Sequence, residues 1–482
     1  MINNSNKFNW LLVFVFAISL RTSAQNTLHP TSSEYEYPTD VKVAEKLEQW
    51  RDQKFGILIH WGIYAVPGIV ESWSINNEDW INRKDTTQSY EDYKKWYWGL
   101  SEKFNPQGFD PSQWADAAEK AGMKYVVFTT KHHDGFNMYD TQFADYKISN
   151  GPFKNHPKAD VAKYVFDAFR EKDMMIGAYY SKPDWHSQYY WWDYRATPDR
   201  NVNYDIRKHP WRWNQYVQFT HNQLNEITSN YGDIDILWLD GGWVRPKSTV
   251  NEEVLSWGAP IPDFDQQIDM PIVAEMVREN QEGILIVDRT VHGPFENYRT
   301  PEQGIPSEMS SDPWESCITL GGAWGYVPND KFKPSRKVIH LLIEIVAKGG
   351  NLLLGVGPTA DGLFVPEQVS RLEEIGKWLE VNGDGIYNTR AIENFQDGKL
   401  YFTQGKAKEL YALLPLEENE ELEDTISWSL NPPKKGSKII ILGENKSLKW
   451  KTEDGKTVVT VPKNLREKLA NSPAIVIRYI SE

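Results

Sequence analysis

Ile236-Leu237-Trp238-Leu239-Asp240-Gly241-Gly242 is the stretch on which the reading of the fold turns. It is a short apolar run of strand character, closed by an acidic residue and followed by two glycines, so a carboxylate emerges where the backbone can turn tightly. Similar runs recur along the chain as FGILIH (55–60), KYVVFTT (124–130), MIGAYYS (175–181), ILIVDR (284–289) and NLLLG (351–355). Between them, stretches of helical period fall at 111–121, 160–172, 211–230 and 335–347. This alternation predicts parallel strands buried on both faces by helices. The strand runs end in His60, Lys131-His132-His133, Tyr180, Asp240 and Arg289. In a (β/α)8-like barrel these ends meet in one bowl, where functional side chains collect. A doubly wound sheet also binds ligands at its strand ends, but no Gly-rich fingerprint follows the first strand here. Asp240 is therefore read as a group of the bowl, the alternative being a helix N-cap at a strand-to-helix junction.

The texture changes after a helical stretch at 366–383. Short runs at 400–403, 409–414, 426–430, 438–442, 458–461 and 474–479, broken by Gly, Pro, Asn and Asp, predict a small C-terminal antiparallel β-sandwich. The expected organisation is a catalytic barrel over 46–385 and the sandwich over 386–482. Ahead of them, 25–45 reads as a polar lead-in, with order beginning near Lys46. Residues 1–24 read as a secretory signal, with Lys7, the apolar run WLLVFVFAISL (10–20) and the small residues Thr22-Ser23-Ala24 before Gln25. A retained span is the weaker alternative, because a membrane helix needs about 20 apolar residues. No later stretch qualifies as a span, so the expected product is exported, to the periplasm or beyond the cell.

The chain has 482 residues, with 53 Lys+Arg against 67 Asp+Glu and a net charge of −14, which leaves no basic excess for a nucleic-acid backbone. An aromatic content of 13% fits a packed globular chain rather than a disordered one. Cys317 is the single cysteine, so no intrachain disulfide can form; it lies in an apolar run without an adjacent His and reads as a packing residue. Nothing in the sequence marks an oligomeric state.

The side chains at the strand ends suit a sugar. His132-His133 at the end of a strand offers ring donors for several hydroxyls, and His60-Trp61-Gly62 forms a similar platform. The pair also suggests zinc, but HxH and HExxH are absent and a zinc site needs a third ligand at matching spacing. The 21 tryptophans include clusters at Trp73, Trp80, Trp96, Trp98 and at Trp185, Trp191, Trp192, Trp211, Trp213. Two or three of these rings are expected on the ligand, since indoles fit the alternating CH and OH surface of a sugar. Glycoside hydrolysis needs a second carboxylate beside Asp240, and the downstream candidates are Glu296, Glu302, Glu308 and Glu315.

Five blocks now reach a resemblance: KFGILIHWGIY (54–64), FNPQGFDPSQWADAAEKAGMKYVVFTTKHHDGF (104–136), GAYYSKPDW (177–185), YGDIDILWLDGG (231–242) and AKGGNLLLGVGPTADG (347–362). In this order they resemble the α-L-fucosidases of glycoside hydrolase family 29. The resemblance implies a (β/α)8-like domain with a C-terminal β-sandwich, and retaining exo-hydrolysis of terminal α-L-fucose from fucosylated glycans without cofactor or metal. It further implies Asp240 as nucleophile and Glu302 in YRTPEQGIP as acid/base, with Glu296 its rival. Arg289 in VDRTVHG is similar to the family's strand-end arginine, although Val287 replaces the usual Asn. His60, His132, His133 and a tyrosine of the 179–180 pair, taken as Tyr180, correspond to fucose-binding groups, and Trp324 to a ring lining the pocket. For the family's Glu-Trp pair this chain offers Glu71 and Trp73, ahead of Glu78 and Trp80. Three readings stand beside it: an α-L-galactosidase on the same scaffold, a non-catalytic carbohydrate-binding relative, and a zinc hydrolase built on His60, His132 and His133.

Overall fold

Seven short strands, β1 (Phe55–Ile59), β2 (Tyr125–Lys131), β3 (Met175–Ser181), β4 (Ile236–Asp240), β5 (Leu285–Asp288), β6 (Glu315–Thr319) and β7 (Asn351–Val356), pair in parallel in the order β5-β4-β3-β2-β1-β7-β6. The structure is a computed structural model that describes residues 35–81, 83 and 87–481, so the signal read over 1–24 lies outside the described residues. Among the described residues no helix is long and apolar enough to cross a membrane. Among the described residues nine helices accompany the sheet: α1 (Val41–Gln53), α2 (Tyr90–Trp98), α3 (Pro111–Lys120), α4 (Val161–Arg170), α5 (Pro210–Asn230), α6 (Glu252–Ser256), α7 (Met270–Asn280), α8 (Ser335–Ala347) and α9 (Pro366–Asn382).

The period of two along each strand sorts its residues into two cores. Leu58, Val127, Tyr179, Ile236, Trp238, Val287, Cys317 and Leu353 pack inside the curl of the sheet. Ile57, Val126, Ala178, Tyr180, Leu237 and Ile286 face the surrounding helices instead. Asp240 shares the parity of Ile236 and Trp238, so it follows them onto the inner face. The N-terminal end of the curl is capped by α1, whose Val43, Leu47 and Trp50 join the inner core. This helix starts at Val41, ahead of the order expected from Lys46, because Asp40 caps it by accepting from Lys42 N and Val43 N at 2.8 and 3.2 Å.

Among the described residues the barrel has seven strands, and the eighth position is taken by an irregular segment around residues 295–303. On one edge Asp288 N donates to Phe295 O and Asn297 N to Ile286 O, both at 2.9 Å. On the other, Glu315 N donates to Arg299 O at 2.8 Å and Cys317 N to Pro301 O at 3.1 Å. Pro301 has no N–H to give, which keeps this segment from forming a regular ladder. Glu302 therefore sits on the segment that joins β5 to β6.

Beyond α9 come β8 (Thr389–Arg390), β9 (Gln396–Asp397), β10 (Leu400–Gly405), β11 (Glu409–Pro415), β12 (Thr425–Trp428), β13 (Ile440–Ile441), β14 (Lys449–Glu453), β15 (Lys456–Thr460), α10 (Lys463–Leu469) and β16 (Ala474–Ile480). They form a six-stranded and a three-stranded antiparallel sheet, as the sandwich reading anticipates. Phe402, Ala412 and Ile477 from the first meet Ile426, Trp428 and Val459 from the second. The other face of the larger sheet, through Leu413 and Val476, joins the helical layer of the barrel. Trp378 Nε1 of α9 donates to Ala474 O at 3.0 Å across that contact.

Glu315, one of the downstream candidate acids, opens β6 and is fully buried in the barrel. Its carboxylate accepts from Tyr125 OH at 2.7 Å and Trp238 Nε1 at 3.1 Å, and it does not line the cavity described below. Burial pushes its pKa up to about 7 against the opposing pull of these two bonds. The unfolded chain releases this proton near 4.5, so between the two values the native state binds more protons and stability falls as pH rises. The isosteric variant Glu315→Gln should reduce the loss of unfolding free energy from pH 5 to pH 7 by about 1–2 kcal/mol. Urea titrations of both proteins at the two pH values measure this; an unchanged difference contradicts it.

Candidate active site

At the C-terminal rim of the strands lies a cavity of about 680 Å³. β1 delivers His60, the turn after β2 delivers His132 and His133, β4 ends on Asp240, β5 is followed by Arg289, and the joining segment supplies Glu302. Gly241 makes the turn possible: its φ is +90°, and a Cβ there would stand 2.3 Å from Pro183 Cδ.

Asp240 and Glu302 meet on one guanidinium. Arg289 Nη1 donates to Asp240 Oδ1 at 2.8 Å, and Nη2 donates to Glu302 Oε2 at 3.0 Å. The arginine is fixed in turn by Thr300 Oγ1 at 3.1 Å and lies 4.4 Å above the Trp238 ring. Tyr179 OH donates to the other Asp240 oxygen at 2.6 Å, and His133 Nε2 approaches it at 3.8 Å. Burial alone would raise the Asp240 pKa, but the Arg289 charge, His133 and the Tyr179 bond hold it well below the usual carboxylate range. Asp240 is thus anionic at any working pH. Glu302 keeps its side chain 36% exposed, at the mouth.

The two histidines are held from behind. His132 Nδ1 pairs with Ser72 Oγ at 2.5 Å, and His133 Nδ1 with Ser181 Oγ at 2.8 Å. Burial lowers all three imidazoles, His133 to about 3, so they face the cavity as neutral rings. Glu71 is buried with Oε1 accepting from Trp324 N and Gly325 N at 2.9 and 3.0 Å, and burial raises its pKa to about 7. Those bonds seat the Trp324 loop beside His60, with ring centroids 5.6 Å apart. Trp73 lines the cavity with the Arg200 guanidinium 4.8 Å from its ring. Glu78 is committed to Arg200, accepting at 2.7 and 2.6 Å, while Trp80 is exposed and bonds Glu78, so Glu71 and Trp73 are the pair that line the cavity.

One position needs correction. Tyr180 does not reach the cavity: its ring faces the helical layer, where its OH donates to Gln223 and Lys131 Nζ donates to it, each at 2.8 Å. Tyr179 takes the place expected of Tyr180. Pairing with β4 sets the phase: Tyr179 stands opposite Trp238 and Ser181 opposite Asp240, which puts odd-numbered residues of β3 on the inner face. Of the other acids, Glu308 is exposed, and Glu296 is engaged by His292 Nδ1 at 2.6 Å and Thr290 N at 3.2 Å. Sequence reasoning missed Ser72, Ser181, Arg200, Trp238 and Trp243 at the site. Arg200 and Trp243 lie on long connections with no periodic pattern.

His132, His133 and Asp240 also bring three ligand-type atoms within 4.8 Å of one another. They fit a divalent cation poorly: one Asp240 oxygen is taken by Arg289, the other by Tyr179, and a fixed positive charge stands beside them.

A rim of paired carboxylates, imidazoles and indoles at the C-terminal end of a parallel barrel defines a glycoside hydrolase. The α-L-fucosidase family model matches residues 22–384. Human plasma alpha-L-fucosidase is 29% identical over 388 residues, spanning 77% of this chain and 76% of that one. Human tissue alpha-L-fucosidase is 29% identical over 432 residues, spanning 85% and 84%. Among solved structures, alpha-L-fucosidase isoenzyme 1 from Paenibacillus thiaminolyticus superposes with a TM-score of 0.73 at 30% identity, covering 92% of this chain and all of that one. The chain belongs to the α-L-fucosidase family, glycoside hydrolase family 29.

The two tyrosines should separate cleanly. Tyr179→Phe removes a hydrogen bond to a charged group and should lower kcat/KM by about 10- to 100-fold. Tyr180→Phe should leave kcat/KM within about twofold and cost about 1–2 kcal/mol of stability, because it strips a buried network. Steady-state kinetics and denaturant titration decide; a larger kinetic loss for Tyr180→Phe contradicts the assignment.

Proposed function

We propose that this protein is an exo-acting, retaining α-L-fucosidase that releases terminal α-L-fucose from glycans. The observation that carries the reading is the Arg289 bridge between Asp240 and Glu302. A retaining pair stands closer together than an inverting one, and two carboxylates that accept from neighbouring nitrogens of one guanidinium support that reading.

In the proposed reaction the Asp240 carboxylate attacks the anomeric carbon while the glycosidic C–O bond breaks. Glu302 gives its proton to the departing oxygen, leaving a fucosyl ester on Asp240. Glu302, now ionised, takes a proton from water as that water attacks the same carbon; the ester breaks, and fucose leaves with its configuration retained. Arg289 and Tyr179 hold the Asp240 carboxylate anionic and fixed in orientation, ready to attack. The neutral His60, His132 and His133, with Glu71, present polar atoms to the sugar hydroxyls, and Trp73 and Trp324 present apolar faces. The inner end of the cavity is closed by buried side chains, which suits one terminal sugar. The export signal over 1–24 would place the enzyme in the periplasm or outside the cell, and the chain is proposed to divide near residue 385.

Asp240→Ala should lose on the order of a thousandfold or more of turnover on p-nitrophenyl α-L-fucoside with its melting temperature preserved. Near-normal turnover would remove the nucleophile assignment. The wild type should prefer that fucoside over the α-L-galactoside by about 100-fold, the discrimination an apolar pocket achieves against one added hydroxyl. Equal or faster cleavage of the galactoside overturns the fucose assignment.

A further inference from the structure

We infer that Lys182 is a positioning residue for the nucleophile: its buried ammonium ties the ends of β3, β4 and β5 together behind the cavity and so sets Asp240 against Arg289. The inference rests on the reading of Asp240 as nucleophile and adds to it what holds the reacting carboxylate in place.

Lys182 follows Ser181 at the end of β3, is fully buried and does not line the cavity. Its Nζ donates to Val244 O at 2.8 Å and to Asp288 Oδ1, on a side chain only 3% exposed. Val244 closes the tight turn after β4, its N–H donating to Gly241 O at 2.9 Å. Asp288 is the last residue of β5 and immediately precedes Arg289. The Lys182 backbone completes the tie: its N–H donates to Asp240 O at 2.8 Å, and its carbonyl accepts from Tyr216 OH of α5. One side chain therefore grips the turn just after Asp240 and the residue just before Arg289.

Stability does not account for this pair. Two charges taken out of water cost about as much as their attraction returns, and apolar replacements of buried pairs are often neutral or better. Burial pushes the Lys182 pKa down and the Asp288 pKa up, each against the pull of the other. What the pair supplies is geometry. The groups that face Asp240 directly are Arg289, Tyr179, His133, His60 and His132. Lys182 and Asp288 carry opposite charges and together change the field at Asp240 little, so their influence on it runs through the two strand ends. Arg245 is the further charge that faces the pair, and it is held separately by Gly242 O, Thr249 O and Thr290 O.

The test compares the full-length wild type with Lys182→Met, Asp288→Asn and the double variant. Each single variant strands one buried charge and should lower the melting temperature; the double variant removes both charges and should recover most of that loss. On p-nitrophenyl α-L-fucoside the double variant should lose about 30-fold or more in kcat with KM within about threefold, because His60, His132, Glu71 and Trp324 hang from elements the tie does not touch. Its pH profile of kcat/KM should gain an acid limb between about pH 4 and 6 that the wild type lacks, as Asp240 loses the close hold of Arg289. A double variant that regains kcat and the wild-type profile along with stability makes Lys182 structural only and overturns the inference. Carboxyl 13C NMR of aspartate-labelled protein, with Asp240→Asn locating the signal, reads the same change in the Asp240 titration without turnover. An unchanged titration overturns the inference by itself. A wild type inactive on every fucoside, with the titration shifted in the double variant, defeats the fucosidase reading and leaves the tie supported.

Discussion

One arginine shared by two acids is the interaction on which the site depends. Two carboxylates placed close together in a partly buried cavity repel, and each is costly to ionise away from water. Arg289 holds the two acids beside each other, giving one donor to Asp240 and one to Glu302, and its charge favours the anionic form of Asp240. It can do so only because Thr300 and the face of Trp238 fix the guanidinium plane. The bridge also differentiates the acids. Asp240 is enclosed and additionally bonded by Tyr179, whereas Glu302 stays in contact with solvent.

The barrel exists to bring these three residues together from distant parts of the chain. Parallel pairing aligns the strand ends at one rim, and the alternation of side chains sends Asp240 inward with Trp238 beneath it. The joining segment is the structural compromise. By replacing an eighth strand with an irregular stretch, it turns Glu302 toward Arg289 while still bonding both neighbouring strands.

Much of this was legible in the residues, because burial on both faces leaves a strong signal. The apolar runs of β1 to β5 and β7, and helices α3, α5, α8 and α9, stand close to where periodicity puts them. β6 was less visible because Glu315 and Ser316 interrupt its apolar character, and β14 because Lys449–Glu453 is a polar, exposed strand. At the site, Asp240, Arg289, His60 and the histidine pair could be read from strand ends. Tyr180 in place of Tyr179 was an error of phase: MIGAYYS offers two adjacent rings, and only pairing with β4 shows which faces in. A register irregularity between Thr129 and Lys131 hides the phase of β2 in the same way.

The central claim is that Asp240 forms the covalent bond to the sugar. Brief incubation with a slowly turned-over 2-deoxy-2-fluoro-fucosyl fluoride, followed by proteolysis and mass spectrometry, locates that bond directly. The account predicts a single fluorofucosyl adduct on the peptide containing Asp240, at its carboxylate. An adduct on Glu302, Glu296 or Glu71, or rapid turnover with inverted product and no adduct, would contradict it.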